Sequence, residues 1–300
     1  MTGIIPIDKP KDITSFGVVA KMRGITGEKK AGHAGTLDPM ATGALPILFG
    51  GATRFLELLP EQDKGYRAAF RLGVTTDTLD MTGTVLSTCE VTASRDDVEA
   101  ALSAFRGRIL QVPPMYSAVS VGGVRLYELA RAGAEVERES REVEIQRLEL
   151  LGGDESTHEY EINVRCSKGT YIRTLIDDIG KKLGCGAAMT ALRRTLACGF
   201  PVEKCVTLEE MQRRKDEGTG FDDILVGVEE LFRSYDRIVV SPAQSIRFSN
   251  GGALDLARLH QAVSDGVYTV YSPDGVFLGL GTCETAVGTL SVRRLLVKRD

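Results

Sequence analysis

A single carboxylate stands within a run of small residues near the start of this chain. Asp38 is the one charged side chain in the stretch AGHAGTLDPMATGALP, residues 31–46, and Pro39 follows it directly. An aspartate before a proline is a common start of a helix, because the carboxylate accepts backbone N–H groups and proline has none to lose. The sequence around Asp38 alone favours that role. The neighbouring glycines permit unusual backbone angles and the close approach of a ligand, which also makes Asp38 a candidate for chemistry.

Two other segments place an aromatic ring beside a cation. The segment KGYR contains Tyr66, and KGTYIR contains Tyr171 and Arg173. A carboxylate that stays ionised in a partly dry site needs a cationic partner, and a flat substrate such as a nucleobase needs an aromatic surface on which to stack. The spacing alone favours the ordinary alternatives, a core tyrosine and a surface arginine. The two segments therefore hint at a base-binding site without proving one.

Other kinds of site find little support in the sequence. The six cysteines form no C-x-x-C pair and the three histidines form no H-E-x-x-H motif, so we expect no metal. The absence of a Walker lysine and of a G-x-G-x-x-G pattern argues against a nucleotide cofactor. The pairs Asp77/Asp80 and Asp177/Asp178 do not identify the two carboxylates of a glycoside hydrolase. We therefore expect no cofactor.

Composition indicates an ordinary globular protein. The chain has 300 residues, of which 43% are hydrophobic and 26% are charged. This length suits one large domain, or a large domain with a small one. No apolar run approaches the roughly 20 residues of a membrane span, and the N-terminus does not resemble a signal peptide. We expect a cytoplasmic protein that does not bind membranes.

The net charge of -4 argues weakly against a polyanionic partner. Basic residues nevertheless occur in clusters along the chain, and an acidic protein can bind nucleic acid if several clusters converge on one face. Any single cluster is more typical of a solvated surface pair. The clusters are Lys29/Lys30, Lys64/Arg67/Arg71, Arg106/Arg108, Arg165/Lys168/Arg173, Lys181/Lys182, Arg193/Arg194, Arg213/Arg214/Lys215 and Arg293/Arg294.

Secondary-structure patterns place Tyr66 on a strand. The segment GIIPIDKP predicts an N-terminal strand, and a helix is expected to start near Thr14 or Ser15. The alternation in KGYRAAFRLGV, residues 64–74, predicts a strand with one apolar face. That face carries Tyr66, Ala68, Phe70 and Leu72.

A helix is predicted to carry the other candidate aromatic and cation. The run YIRTLIDDIGKKLG, residues 171–184, has apolar side chains at helical spacing. Thr170 is the predicted N-cap and Gly184 the predicted glycine just past the C-terminus. Tyr171 and Arg173 would then lie in the first turn of this helix.

Two changes in residue composition and secondary-structure pattern divide the chain. A segment of about residues 112–140 combines a proline-broken loop, a Gly122-Gly123 hairpin, a short helix and an acidic connection, and it predicts an insertion that leaves the core. After residue 233 the sequence consists of short strand-like runs, namely RIVV, SIRF, GVYTVYS, VFLGLG and LSVRRLLV. We therefore predict a domain of residues 1–233 and a small β domain of residues 234–300.

Five segments in order resemble the bacterial tRNA pseudouridine-55 synthases of the TruB type. They are IIPIDKPKDITS, GHAGTLDPMATGALPILFGGATR, DKGYRAAFRLGVTTDTLDMTG, VPPMYSAVSVGGVRLYELARAG and CSKGTYIRTLIDDIGKKLGCGAAMTALRRT. The resemblance implies an α+β fold, in which a mixed, mainly antiparallel sheet flanked by helices forms the catalytic domain. It also implies that residues 112–140 form a thumb-like insertion. The C-terminal strands look like an RNA-binding PUA-type β domain, although LDLARLHQAVSD, residues 254–265, has no assignable role there.

The resemblance assigns three catalytic residues. Asp38 matches the nucleophilic aspartate of the family, and Arg173 matches the arginine that pairs with it. Tyr66 matches the tyrosine that packs against the target uracil and takes part in proton transfer.

Further residues match substrate-binding positions of the family. His33 matches a histidine that contacts the distorted T loop when the uridine is flipped out, and Tyr171 lies beside the pocket. Leu192 matches an apolar wall residue. Lys9, together with Pro10, is expected to brace the loop that carries the aspartate.

The implied reaction is an isomerisation of uridine 55 in the T loop of tRNA. The N1–C1′ bond breaks, the uracil turns while it is held, and C5 bonds to C1′ without a cofactor. The expected partner is the tRNA T stem-loop, with no obligatory protein or guide RNA. The alternatives are an RNA-binding or tRNA-folding module with secondary catalysis, a guide-RNA-dependent synthase and a small-molecule glycosidase. The missing carboxylate pair disfavours the glycosidase, and the thumb-like segment and the lack of a long basic tail disfavour the guide-dependent synthase.

Overall fold

The computed structural model describes residues 1–60 and 62–296. Its N-terminal part begins with a strand and a helix at the predicted places. The helix starts after Thr14, whose hydroxyl accepts the Gly17 N–H at 2.9 Å, and ends where Gly27 adopts φ 73°. The elements of this part are β1 (Gly3–Lys9), α1 (Ser15–Thr26), β2 (Ala31–His33), β3 (Thr42–Phe49) and a 3₁₀ helix (Gly50–Leu58).

The middle of the chain contains the insertion. Its hairpin turns at Gly122 and Gly123, both with positive φ, as the sequence predicts. The insertion leaves the large sheet after strand β7 (Gly107–Gln111) and returns at strand β10 (Arg141–Asp154), which pairs with β7. The elements are β4 (Lys64–Leu72), β5 (Val74–Thr76), β6 (Val85–Thr88), α2 (Arg95–Leu102), β7 (Gly107–Gln111), β8 (Ser120–Val121), β9 (Val124–Arg125), α3 (Leu126–Arg131) and β10 (Arg141–Asp154).

The next part completes the large sheet. Helix α4 (Ile172–Lys182) buries Ile172, Leu175, Ile176 and Ile179, and the fifth apolar residue predicted on this face, Leu183, lies at the C-cap and is partly buried. Each fully buried aliphatic side chain of this kind contributes about 1.5–3 kcal/mol to stability. The elements are β11 (Glu159–Cys166), α4 (Ile172–Lys182), β12 (Ala187–Ala197), β13 (Phe200–Pro201), β14 (Val206–Thr207) and α5 (Leu208–Glu217).

The large sheet is mixed and mainly antiparallel, which confirms the predicted α+β class. Its order is β14-β1-β3-β12-β4-β11-β10-β7, with β2 added to β3 and β13 to β12. The pairs β1/β14 and β3/β12 are parallel, and the other pairs are antiparallel. Near the centre, Gly43 of β3, Arg194 of β12 and Tyr66 of β4 are register partners. The fold therefore aligns the start of β3 with Tyr66 across the sheet.

The C-terminal strands form a second, five-stranded sheet in the order β15-β17-β18-β19-β16. Four of the five predicted strand runs form strands in the described residues, and the last residue of LSVRRLLV, Val297, lies outside them. The strand predicted at SIRF is wrong because residues 245–248 lie in a helix. Ser241 and Gln244 form a capping box around Pro242, and this local signal starts the helix. The elements are β15 (Arg237–Val239), α6 (Pro242–Ser249), β16 (Leu254–Asp255), β17 (Gly266–Tyr271), β18 (Phe277–Glu284) and β19 (Thr289–Leu295).

An aromatic cluster joins the small sheet to the large one. The ring of Phe55 lies 5.6 Å from that of Phe232 and 6.1 Å from that of Phe277, measured between centroids. All three side chains are buried in one apolar cluster with Ile4 and Leu48 of the large sheet. The two sheets thus share a core. The domain boundary after residue 233 stays a prediction.

We expect Phe55→Ala to lower the free energy of unfolding by about 3–5 kcal/mol, because it leaves a cavity between the two sheets. Urea unfolding followed by circular dichroism measures the effect. Phe16→Ala is the control, since Phe16 is 63% exposed and its loss should cost below about 1 kcal/mol. Equal costs for the two substitutions would contradict the shared core.

Candidate active site

Asp38 lies in a loop rather than at the start of a helix. Its carbonyl accepts the Ala41 N–H at 3.1 Å, which closes a single turn before β3 begins at Thr42. The helix start predicted from Asp38 and Pro39 is therefore wrong. Only three residues separate Asp38 from the central strand, and the pairing of β3 with β1 and β12 leaves no room for a helix.

The Asp38 carboxylate is held by a two-point ion pair. Nε of Arg173 lies 2.9 Å from one carboxylate oxygen, and Nη2 donates to the other at 3.2 Å. This fork fixes the orientation of the carboxylate. The Arg173 side chain is 7% exposed, whereas that of Asp38 is 35% exposed. Asp38 is therefore paired on one side and open to a ligand on the other.

Arg173 also contacts two other segments of the chain. Nη1 donates to the Thr78 carbonyl at 3.0 Å, and Nη2 donates to the Tyr116 carbonyl at 2.8 Å. A second carboxylate, that of Asp80, lies 3.9 Å from Nε and is buried. Asp80 is itself held by the Thr78 hydroxyl at 2.9 Å. The guanidinium thus lies between two carboxylates, and one of its contacts is to the insertion.

Tyr66 is a buried, neutral phenol beside this pair. Burial raises the pKa of Tyr66 to about 12, although the guanidinium of Arg194 opposes the shift. Its side chain shares the apolar face of β4 with Ala68, Phe70 and Leu72, as the alternation predicts. The hydroxyl therefore keeps its proton at neutral pH, and the ring offers an apolar surface.

A cavity of about 220 Å³ opens in front of these residues. It is smaller than the roughly 300–1,000 Å³ of most small-molecule sites, which suits one flat ring. The walls include Asp38, Tyr66, Tyr171, Arg173 and Leu192. A larger cavity of about 390 Å³ lies against Val206 and residues 223–226, but it contains no comparable set of groups. Chemistry rather than volume identifies the site.

The remaining predicted residues occupy different positions around this cavity. Leu192 and Tyr171 line it, whereas His33 lies on β2 and is not part of its wall. Burial lowers the pKa of His33, and the nearby charge of Arg194 lowers it further. The imidazole is thus favoured in its neutral form.

Lys9 binds the backbone of the loop that carries Asp38. Its ammonium donates to the carbonyls of Pro10 at 2.9 Å, Ile13 at 2.7 Å and Pro39 at 3.1 Å. Burial lowers the pKa of Lys9 to about 8, and the charge of Asp38 acts in the opposite direction. Because Pro39 directly follows Asp38, this contact fixes the backbone next to the carboxylate.

Two further buried side chains hold the same loop. The Ser15 hydroxyl accepts the Leu37 N–H at 2.8 Å and donates to the Leu37 carbonyl at 3.1 Å. The Arg194 guanidinium, which is fully buried, donates to the carbonyls of Ala44 at 2.7 Å, Thr36 at 3.3 Å and Gly35 at 3.1 Å. The loop on both sides of Asp38 is thus fixed by side chains from β12 and α1.

The N-terminus of α4 differs from the prediction. Thr170 is not its cap, because the Thr170 hydroxyl donates to the Ser167 carbonyl at 2.9 Å, and Tyr171 lies one residue before the first turn. The buried amide of Gln111 binds Tyr171 instead. It accepts the Tyr171 N–H at 2.9 Å and donates to the Tyr171 carbonyl at 3.1 Å. Gln111 thereby fixes the start of the helix that carries Arg173.

Sequence reasoning missed Ser15, Asp80, Gln111 and Arg194 as parts of this site. In the sequence, Ser15 marks only a helix start, Asp80 belongs only to a pair of acidic residues, and Arg194 belongs only to a basic pair. Gln111 belongs to no recognisable motif. A polar side chain that binds a distant backbone leaves no spacing signal, and only the fold identifies its partner.

Acidic partners neutralise several of the basic clusters. Arg67 pairs with Glu161, and Arg71 pairs with Glu159 at 2.6 Å. These ion pairs are solvent-exposed, and such pairs typically contribute under about 1 kcal/mol. Arg67 and Arg71 therefore form surface pairs, in agreement with the simpler interpretation of the sequence, whereas Lys64 of the same cluster lines the cavity.

The described residues contain neither a metal-binding cluster nor a membrane-spanning helix. Across residues 1–60 and 62–296, no cluster of three or more His, Cys, Asp or Glu side chains is arranged to bind a metal ion. In the same described part, no helix is both long and apolar enough to cross a membrane. The cytoplasmic location stays a prediction of the sequence.

The chain is similar to known proteins along nearly its whole length. Residues 23–172 match the family described as TruB family pseudouridylate synthase (N terminal domain), and residues 173–233 match the tRNA pseudouridylate synthase B C-terminal domain. The tRNA pseudouridine synthase B of Pseudomonas fluorescens strain Pf-5 is 45% identical over 298 residues, which cover 99% of this chain and 96% of that protein. The protein of the same name from Pseudomonas syringae pv. syringae is 44% identical with the same coverage.

Solved structures show the same fold. A chain in the crystal structure of a Cbf5-Nop10-Gar1 complex aligns with a TM-score of 0.74 and 25% identity, covering 100% of this chain and 86% of that one. A chain in an H/ACA RNP bound to a substrate RNA containing 2′-deoxyuridine aligns with a TM-score of 0.73 and 23% identity, with the same coverage.

We expect Gly43→Ala to destabilise the protein by more than about 2 kcal/mol. Gly43 has φ 104°, and a Cβ there would lie 2.2 Å from the Arg194 carbonyl oxygen. Urea unfolding measures the loss. Gly152→Ala is the matched control, since a Cβ at Gly152 meets open space and should change stability by at most about 0.5 kcal/mol. Similar unfolding midpoints for the two variants would contradict the close approach of β3 and β12.

Proposed function

The chain belongs to the TruB family of pseudouridylate synthases, and we propose that it converts uridine 55 in the T loop of tRNA to pseudouridine. The observation that carries this proposal is the two-point pairing of Asp38 with Arg173 in a small cavity bounded by Tyr66. The curated relatives with about 45% identity are named for tRNA, which supports tRNA as the substrate.

The reaction rearranges atoms within one nucleoside. The Asp38 carboxylate attacks C1′, or assists removal of the 2′ hydrogen in a glycal route, and the uracil leaves with the electron pair of the N1–C1′ bond. The detached base turns and C5 bonds to C1′. In the first route the bond between the carboxylate and C1′ breaks in this step and frees Asp38, and in the glycal route C2′ regains its hydrogen. The C5 proton is lost while N1 gains one. Arg173 orients the carboxylate for the attack. Atoms and electrons balance without a cofactor.

Tyr66 and the apolar walls control the detached base. The neutral phenol offers its ring for stacking and its hydroxyl for a hydrogen bond or a proton transfer at C5. Leu192 and Ile172 line the opposite part of the cavity, where they help to exclude water. Exclusion of water matters because hydrolysis at C1′ would leave an abasic site.

The target uridine must first leave its folded loop. Flipping costs a few kcal/mol, and stacking on an aromatic ring returns about 1–3 kcal/mol. We assign the stacking to Tyr66 and the support of the open RNA loop to His33, which lies on β2 outside the cavity wall. Tyr171 closes the cavity beside Arg173.

We further propose that the enzyme needs neither a guide RNA nor a protein partner. The fold is shared with chains from Cbf5-Nop10-Gar1 and H/ACA RNP structures, whose titles name other components. Similarity over nearly the full length is much higher to proteins named tRNA pseudouridine synthase B. The five-stranded C-terminal sheet would then act as a PUA-like surface for tRNA.

The experiment uses tRNA labelled with tritium at uracil C5, purified protein and no guide RNA. Wild type should release one equivalent of tritium from position 55, because C5 exchanges hydrogen for carbon. Asp38→Asn should release it at least about 10⁴-fold more slowly, since the nucleophile is lost. The control Asp96→Asn changes an exposed side chain of helix α2 and should release tritium at the wild-type rate.

Absence of release by wild type, or equal release by Asp38→Asn, would refute the proposal. Binding of unmodified tRNA without release would favour the tRNA-folding alternative. Substitution of cytidine for uridine at position 55 of the tRNA should abolish release. Release that persists from such a tRNA would contradict the assignment of the position.

A second prediction concerns Asp80. We expect Asp80→Asn to slow tritium release about 100-fold at saturating enzyme, because Arg173 loses one of its two carboxylates and its aim at Asp38. tRNA affinity, measured by filter binding, should not change. Asp77→Asn is the control, since Asp77 lies in the same turn but accepts only the Thr84 N–H. Equal rates for the two variants would show that Asp80 does not position Arg173.

A further inference from the structure

One lysine in the cavity wall has no protein partner. Lys64 lines the cavity with Asp38 and Tyr66, and among the described residues its ammonium makes neither a hydrogen bond nor an ion pair. By contrast, Lys9 binds three carbonyls, and Lys181 lies 2.6 Å from Asp177. Lys64 is therefore a lysine of the cavity wall that the mechanism above does not use.

The position of Lys64 follows from its strand. Lys64 and Tyr66 are two residues apart on β4, so their side chains lie on the same face of the sheet. On the other side of the ammonium lies the loop before Asp38, where a Cβ on Gly35 would be 3.6 Å from both Cε and Nζ of Lys64. The end of the Lys64 side chain thus lies close to Gly35, in the loop before Asp38.

The surroundings of Lys64 disfavour an unpartnered cation. Burial lowers the pKa of Lys64, and the like charge of Arg194 lowers it further. Arg194 binds three carbonyls, and Asp38 is paired with Arg173. A cation kept in such a place without a protein anion is typical of a functional site. A ligand that enters the cavity would supply the missing negative charge.

We propose that Lys64 contacts the substrate directly, with its ammonium bound to a negatively charged oxygen of the RNA. This inference rests on the proposed function of the same cavity. One such oxygen is a uracil carbonyl oxygen, which gains charge when the N1–C1′ electron pair leaves with the base and loses it when C5–C1′ forms. Another is a phosphate oxygen of the flipped nucleotide. The ammonium keeps its proton in both cases.

The test compares Lys64→Met with wild type in single-turnover tritium release from tRNA. Methionine keeps the length of the side chain and removes its charge. If Lys64 serves the substrate, activity falls while the thermal midpoint stays the same or rises, because a buried cation is replaced by an apolar group. Lys182→Met, in the exposed last turn of α4, is the matched control and should behave as wild type.

Whether Lys64→Met loses reaction rate or tRNA affinity identifies the RNA oxygen that Lys64 contacts. Contact with the uracil oxygen predicts a rate about 100-fold lower at saturating enzyme, with unchanged tRNA affinity, as for loss of an oxyanion donor. Contact with a phosphate predicts weaker tRNA binding and a slope of log affinity against log salt that is smaller by about 1, with an unchanged saturated rate.

Two results would overturn the inference. In one, Lys64→Met retains both the saturated rate and the tRNA affinity of wild type. In the other, activity and the thermal midpoint fall together, which would mean that Lys64 only supports the fold. Wild type is measured in parallel. An inactive wild type would therefore count against the proposed function, and a normal wild type with a normal variant only against Lys64.

Discussion

The ion pair between Asp38 and Arg173 is the interaction on which the rest of the site depends. A guanidinium that is 7% exposed holds a carboxylate that is 35% exposed, so the protein sets the direction of the carboxylate from one side while the other side stays open to a ligand. Through Arg173, the same contact reaches the insertion at Tyr116 and the turn at Thr78. Segments far apart in the chain thus meet at one side chain, and the mixed sheet brings them there.

The loop around Asp38 is held by polar groups rather than by regular structure. Lys9, Ser15 and Arg194 bind its backbone from three elements, and two of these groups are cations of buried residues that bind carbonyls of this loop. Burial of a cation costs free energy that neutral acceptors offset only in part. We therefore assign this arrangement to function, since a rigid carboxylate beside a cavity with apolar walls suits bond cleavage without hydrolysis.

Local sequence patterns predicted the strands and helices that carry the site but not the side-chain contacts between them. Alternation placed Tyr66 on the buried face of β4, and helical spacing placed the apolar face of α4. The helix start at Asp38 was wrong because sheet pairing overrides the preference of Asp-Pro, and SIRF was wrong because a capping box starts α6. Arg173 and Asp38 are 135 residues apart, and Arg194 and Gly35 are 159 apart. The family resemblance supplied the first pair, whereas the second emerged only from the fold.

The most direct measurement of the central claim is the single-turnover rate of pseudouridine formation by Arg173→Met at saturating enzyme. The account predicts a rate at least about 100-fold below wild type with an unchanged dissociation constant for tRNA, because the carboxylate loses both its charge partner and its direction. A rate close to that of wild type, with Asp38 still required, would contradict it.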